Sequence, residues 1–364
     1  MVKQTLLIDG IHKHLENKLA IDCIIIGGGI IGMMTARELS KAGLKVQILE
    51  KGQIGQEASW AGGGILSPLY PWDTPQEIWP MIVESQREYP EICRDLEEET
   101  GIDPQWLQSG LINFDQIDGD KLKDWAEKTG LEYSKLDTKQ IAEIEPAFNQ
   151  VHESSIWLPT VAQVRNPRIL KALKRSLLDS GVKIQEGIEV SAINQVKGKV
   201  ESVEATEGRI PCKFVVVAAG AWSGLFFEDR STIEPVRGQM LLIDSPEGFL
   251  NRIVLKDGIY LIPRKSGQIL IGSTVEYVGF DKGITQEAAE KLKTAAVKML
   301  PPIREYNIVQ HWAGLRPATS GGIPVIQEDQ RIQGLFFNTG HFRNGVVLAP
   351  ASSRKIFSLI LNHL

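Results

Sequence analysis

Apolar positions in this chain fall into two alternating patterns. One is a short continuous run bounded by glycine; the other is a longer stretch in which apolar and polar residues mix as on a half-buried helix. Residues 21–26 form the first run and predict a buried strand. Residues 30–41, with Met33, Ala36, Arg37 and Leu39 spread over their faces, predict a helix that Gly43 stops. A second strand is expected over residues 45–49. Residues 76–101 and 119–147 read as helical, polar-faced and acidic, with Pro104 and Pro146 as breaks, and are expected in a separate layer. A further helix is expected from Asn166 as N-cap and Pro167 at the first helical position to Ser180. Strands are expected between Val182 and Val190, and a buried parallel strand over residues 213–218, where the apolar run is nearly continuous. From Ile233 to Glu276 the runs shorten, and Arg264-Lys265-Ser266-Gly267 reads as a hairpin turn in an antiparallel sheet. A helix over residues 285–300, strand-like sequence through Trp312 and Leu335-Phe336-Phe337, and a closing helix from about Val346 to Leu361 complete the pattern.

Between the first strand and helix stands Gly27-Gly28-Gly29-Ile30-Ile31-Gly32, which points to a dinucleotide. Gly27 permits a tight turn, Gly29 lets a pyrophosphate approach the backbone, and Gly32 lets the helix pack closely on the sheet. Free N–H groups at the helix start face the phosphates. Glu50 lies about 20 residues past the glycines, where such sites carry an acid for the ribose hydroxyls. No arginine follows it, which argues against a 2′-phosphate. A second cluster, Gly62-Gly63-Gly64, follows Ser59, Trp60 and Ala61; backbone this bare suits a flat ligand, and a nicotinamide site has no need of it. Ala219-Gly220-Ala221-Trp222-Ser223 is another place where backbone can approach a nucleotide.

The chain has 364 residues, enough for one large or two interlocked domains. A formal net charge of -5 supplies no basic field, so nucleic acid is not an expected partner. Cys23, Cys93 and Cys212 share no metal-ligand spacing and read as buried thiols in a reducing cytosol; no metal is expected. No apolar stretch approaches the ~20 residues that span a bilayer. Residues 1–20 lack the apolar core of a signal peptide and read as an N-terminal extension, so a cytoplasmic protein without stable membrane association is expected.

The last third carries two arginine motifs, His311-Trp312-Ala313-Gly314-Leu315-Arg316-Pro317 and Gly340-His341-Phe342-Arg343-Asn344-Gly345-Val346-Val347. With these, and with SWAGGGILSPLYPW from Ser59, VRNPR from Val164, AAGAWSG from Ala218, PVRGQM from Pro235 and YLIPRKSG from Tyr260, the chain resembles the D-amino-acid oxidase superfamily of FAD enzymes. Within it, the chain is similar to the glycine oxidases of thiamine biosynthesis. The likeness runs from Ile21 to the C-terminus. It implies an α/β fold: a Rossmann-type FAD-binding domain (residues 21–75, 150–232 and 325–364) and an interleaved α+β substrate-binding domain on a mostly antiparallel sheet (residues 76–149 and 233–324).

The resemblance also implies roles. Ile30, Ile31, Glu50, Lys51, Ala58, Ser59, Gly63, Gly64 and Ile65 match nucleotide and flavin contacts, as does Val190 through its backbone; Gly220 joins them from the AAGAWSG motif. His341, Phe342, Arg343, Asn344, Gly345, Val346 and Val347 match the segment under the flavin ring. Arg316 matches the arginine that grips the substrate carboxylate, Tyr260 a hydroxyl near it, and Arg343 a further substrate-side residue. No cysteine follows Cys212, so non-covalent FAD is expected. Gly258 stands where some relatives have a side chain on the pocket rim.

The implied reaction takes glycine, and also sarcosine or small D-amino acids such as D-alanine, to the imine by hydride transfer to flavin. Glyoxylate and ammonia follow, oxygen becomes hydrogen peroxide, and the glycine imine is available for the thiazole of thiamine. No residue is expected as catalytic acid or base; the amine must instead be neutral. The resemblance further implies a homo-oligomer, tetramers being common among members. Two readings compete: a D-amino-acid dehydrogenase passing electrons to a quinone, and a non-catalytic flavin-binding sensor.

Overall fold

A computed structural model describes residues 21–148 and 155–364; the expected extension over residues 1–20 lies outside them. Two eight-stranded sheets organise the chain. In the first, Ile21–Ile26 is central, flanked in parallel by Val46–Glu50 and Gly208–Val217. Lys183–Glu186 extends one side and Leu335–Thr339 the other, both in parallel, and Val325–Glu328 closes the edge antiparallel. Register brings Ile26 beside both Leu49 and Val217, so the carboxyl ends of the parallel strands finish at one level. Open sheets of this kind bind ligands at that edge.

Both faces of this sheet are covered, which is why its strands are nearly continuous apolar runs. Cys23 and Ile25 pack under the helices Ile30–Lys41, Asn166–Asp179 and Gly345–Leu361, while Ile24 and Ile26 pack with Leu49, Val203 and Phe337 on the opposite face. The helix Trp79–Thr100 joins the first face through Tyr89, Cys93 and Leu96, although the sequence places it in the substrate-side span.

The second sheet runs Ile308–Ala318, Glu234–Ile243, Ile269–Gly272, Ile259–Pro263, Ile253–Lys256, Leu111–Asn113, Ser155–Leu158 and Ser134–Leu136. Its pairings are antiparallel except that of Ile253–Lys256 with Leu111–Asn113. Helix Gln286–Met299 covers its outer face, with Leu292 and Ala296 against Ile243 and Ile271. Its inner face, with Met240, Tyr260 and Ile262, turns toward the first sheet.

One expectation is corrected here. The segment 119–147 is not one helical stretch but two helices, Gly119–Thr129 and Thr138–Ile144, separated by the strand Ser134–Leu136. Gly130 in a left-handed conformation (φ 68) ends the first helix, and Asp137 starts the second with a capping box to Gln140. The strand Ser155–Leu158 falls in the span expected of the FAD-binding part, yet it pairs with Leu111–Asn113 in the second sheet.

Candidate functional site

The two sheets face each other across one long cleft. At one end lies the first glycine turn. Gly27 has φ +107, and a β-carbon there would stand 2.5 Å from the Ala218 carbonyl oxygen; a β-carbon on Gly32 would stand 2.0 Å from that of Gly27. The following helix has Gly29 as N-cap without a side-chain cap. Ser59 Oγ accepts from the Ile30 N–H at 2.9 Å, tying the first glycine turn to the second. The Glu50 carboxylate holds both sides of the entry, accepting from the Gly28 N–H at 2.7 Å and the Gly52 N–H at 2.8 Å.

The second glycine loop is braced by two side chains that sequence reading gave no such task. Asn166, expected as an N-cap, is the first residue of its helix; Arg165 occupies the cap position. Released from capping, Asn166 Nδ2 donates to the Ser59 carbonyl at 2.6 Å. Arg264, expected as a hairpin corner, reaches inward and donates to the Gly63 carbonyl and to Gln163 Oε1, both at 2.8 Å, and to the Val164 carbonyl at 3.2 Å. It has no carboxylate partner among the described residues. Burial, with the nearby charge of Arg165, pushes its guanidinium down to about 10.

The strand Leu335–Thr339 delivers the chain through Gly340 (φ 79) and a short turn, Phe342–Asn344, into the helix Gly345–Leu361. His341 is 3% exposed and its Nε2 has no hydrogen-bond partner; burial lowers its pKa to about 3, so the ring is neutral. Arg343 stacks on Phe342 at 5.7 Å and its buried Nε is also unpartnered. These unpartnered nitrogens, in the turn before a helix N-terminus, fit a ligand that brings hydrogen-bond acceptors there, as the ring carbonyls of a flavin do.

Toward the second sheet the cleft ends at Arg316. Strand pairing sets Arg316 opposite Val236, and its guanidinium lies over Gly238. Nη2 donates to Ser273 Oγ at 2.7 Å and Nη1 to the Thr274 carbonyl at 3.1 Å; no carboxylate pairs with it among the described residues. Burial lowers its pKa, with Tyr260 opposing and Arg343 adding to that shift. Tyr260 is 7% exposed; its hydroxyl donates to Met240 Sδ at 3.9 Å and interacts with the Arg316 guanidinium. Gly258 has φ +73 and donates its N–H to Tyr70 Oη at 3.0 Å, so the left-handed backbone at the rim explains why no side chain stands there.

Every expected site residue lines this cleft except Gly32 and Val347. Gly32 lies beneath the turn, where its missing side chain admits the Gly27 carbonyl. The Val347 side chain lies in the core beside Leu348, in the helix that starts at Gly345. Ser273, Gly238, Asn166 and Arg264 are the functional-region residues that sequence reading missed. Gly238 and Arg264 stand within recognised motifs, but their contacts are non-local. Among the described residues no cluster of His, Cys, Asp or Glu is arranged to hold a metal ion, and no helix is long and apolar enough to cross a membrane.

Residues 22–359 match the family described as FAD dependent oxidoreductase, DAO. The chain is 41% identical over 341 residues to a glycine oxidase of Pseudomonas aeruginosa, covering 93% of this chain and 94% of that protein. It is 30% identical to the bifunctional protein ThiO/ThiG of Trichormus variabilis, covering 93% of this chain and 52% of that one. Among solved structures, a glycine oxidase from Bacillus cereus aligns with a TM-score of 0.86 at 32% identity, over 94% of this chain and 96% of that chain.

Proposed function

The chain belongs to the FAD dependent oxidoreductase (DAO) family, and from that premise we propose that it is an oxygen-using glycine oxidase. The observation that carries this reading is Arg316, a buried guanidinium facing the cleft with only neutral partners. A buried cation without a counter-ion is costly, and a substrate carboxylate supplies the missing charge through two parallel N–H bonds. Tyr260 adds a hydroxyl beside it, and Arg343 a second positive group. Glycines line the cleft, Gly238 against Arg316 and Gly63 against Tyr260 and Met240, with Gly314 beside them in the lining, and this suits a small amino acid.

FAD, when bound, supplies the acceptor for the two electrons that leave the substrate. The residues that would hold it are those of the two glycine loops, Glu50, and the turn from His341 to Asn344. Glycine loses two electrons and two protons to give the imine, water hydrolyses the imine to glyoxylate and ammonia, and oxygen takes up the same equivalents as hydrogen peroxide. His341, with its pKa near 3, is too weak a base to accept the amine proton at neutral pH. The substrate therefore reacts as the free amine, and Arg316 and Tyr260 orient it. Sarcosine and D-alanine fit the same description, and supply of glycine imine for the thiazole of thiamine is part of the proposal, as is a cytoplasmic homo-oligomer.

The test is direct. The purified protein should carry a flavin spectrum, be bleached by glycine without air, and form one peroxide per glyoxylate in air. Bleaching without peroxide would replace the oxidase by a dehydrogenase, and no bleaching by any amino acid would remove the enzymatic reading. Arg316→Ala should raise the KM for glycine from about 30-fold to a few thousandfold, the range for leaving one partner of a buried charged pair alone.

A further inference from the structure

Ser273 follows the strand Ile269–Gly272, is 5% exposed and lines the cleft beside Arg316. Its Oγ accepts from Arg316 Nη2 at 2.7 Å. A serine hydroxyl also has one proton to donate. Among the described residues nothing accepts that proton. The residue before Ser273, Gly272, lies against the phenol: a β-carbon there would come within 2.7 Å of Tyr260 Oη, and Tyr260 and Ser273 line the same cleft.

The backbone that carries Ser273 is held in place. The Thr274 carbonyl accepts from Arg316 Nη1, and Thr274 Oγ1 accepts from the Gln239 N–H at 2.8 Å and donates to Glu276. Gln239 Nε2 donates to Glu276 at 2.9 Å, and Glu276 is ion-paired with Arg237. The hydroxyl can rotate, but the residue cannot swing out of the cleft.

Resting on the amino-acid oxidase reading, we propose that Ser273 is a substrate-binding residue: its hydroxyl accepts from Arg316 and donates its own proton to the substrate carboxylate. A hydroxyl that accepts from a cation is polarised into a better donor. The Arg316 guanidinium is donor-only, and Ser273 and Tyr260 each have a hydroxyl proton to give, so the three together supply donors to the two oxygens of a carboxylate.

The experiment uses the FAD-loaded protein and acetate, which has the carboxylate of glycine without its amine. The acetate dissociation constant is read from the change in flavin absorbance and from competition against glycine. Ser273→Ala should weaken acetate about tenfold or more and raise the KM for glycine in parallel, with kcat changed less than about threefold. Ser273→Thr, which keeps the hydroxyl, should stay within about threefold of the unmodified protein. Should the alanine variant fail to retain FAD, Ser273→Cys fills the same space with a weak donor and should show the same loss of acetate. Acetate binding unchanged in the variant without the hydroxyl overturns the assignment of Ser273 alone. An unmodified protein to which neither acetate nor glycine binds overturns the carboxylate reading of the whole site.

Discussion

The guanidinium of Arg316 rests against the α-carbon of Gly238: a β-carbon there would stand 2.1 Å from Nη2 and 2.2 Å from Nη1. The missing side chain at Gly238 is what lets the arginine lie flat along the sheet and keep both nitrogens on Ser273 and Thr274. The obstructed atoms are the far end of a flexible side chain, so a methyl group displaces the guanidinium without disturbing the fold. Gly238→Ala should therefore lower kcat/KM for glycine by about 10- to 100-fold, the cost of an ångström-scale misplacement. Its thermal midpoint should move by only a few degrees. Steady-state kinetics beside a melting curve separate the two effects; unchanged kcat/KM would mean that the arginine's position is not what selects the substrate.

Arg264 couples the second sheet to the glycine loop at Gly63. Replacing it with methionine keeps much of the volume but leaves the Gly63 and Val164 carbonyls and Gln163 Oε1 without their donor. Unfolding in urea should show a loss of about 2 kcal/mol or more, and FAD should bind more weakly because the loop that lines its cleft is released. Lysine, with one nitrogen in place of a planar fork, should restore only part of either. A methionine variant with full FAD affinity would confine Arg264 to an ordinary corner of the hairpin.

The contrast between these two arginines explains what the sequence made legible. The first glycine turn is read correctly because its strand, turn, helix and acid are local, and local steric rules act on each glycine in turn. Arg316 is legible through its motif. Arg264 lies in an equally recognisable stretch, but the carbonyl it serves is 201 residues away, and nothing in Arg264-Lys265-Ser266-Gly267 distinguishes an inward corner from a solvated one. Asn166 looks like a cap because asparagine before proline usually is one; it lies one residue inside the helix, and its Nδ2 instead donates to the Ser59 carbonyl, 107 residues away. The break at Gly130 and Asp137 was available locally and outweighs the helical composition around it.

Glu50 accepts from the Gly28 and Gly52 N–H groups with different oxygens. An amide offers only one acceptor, so Glu50→Gln turns an N–H donor toward one of these backbone N–H groups. The penalty of about 1–3 kcal/mol for an unsatisfied group should appear as weaker FAD binding, about 5- to 150-fold by equilibrium dialysis. If FAD affinity is retained, the carboxylate serves neither the turn nor the ribose.

His341 sets the acid limit of the fold. Its folded pKa is lowered by burial from 6.5 to about 3. Below about pH 6.5 the unfolded chain takes up a proton that the folded chain refuses. The stability this group permits is therefore complete above that pH and falls by about 1.4 kcal/mol per unit as the pH drops toward 3. His341→Asn removes the titration, so between pH 7 and pH 4.5 the variant should lose about 2–3 kcal/mol less than the parent in urea unfolding. Groups common to both chains cancel in the comparison. The same neutrality keeps His341 out of the activity profile: kcat/KM for glycine should rise toward alkaline pH as the substrate ammonium deprotonates, in the variant as in the parent. An equal acid loss in both chains, or a neutral pH optimum that vanishes with the substitution, would show that the imidazole titrates within the working range.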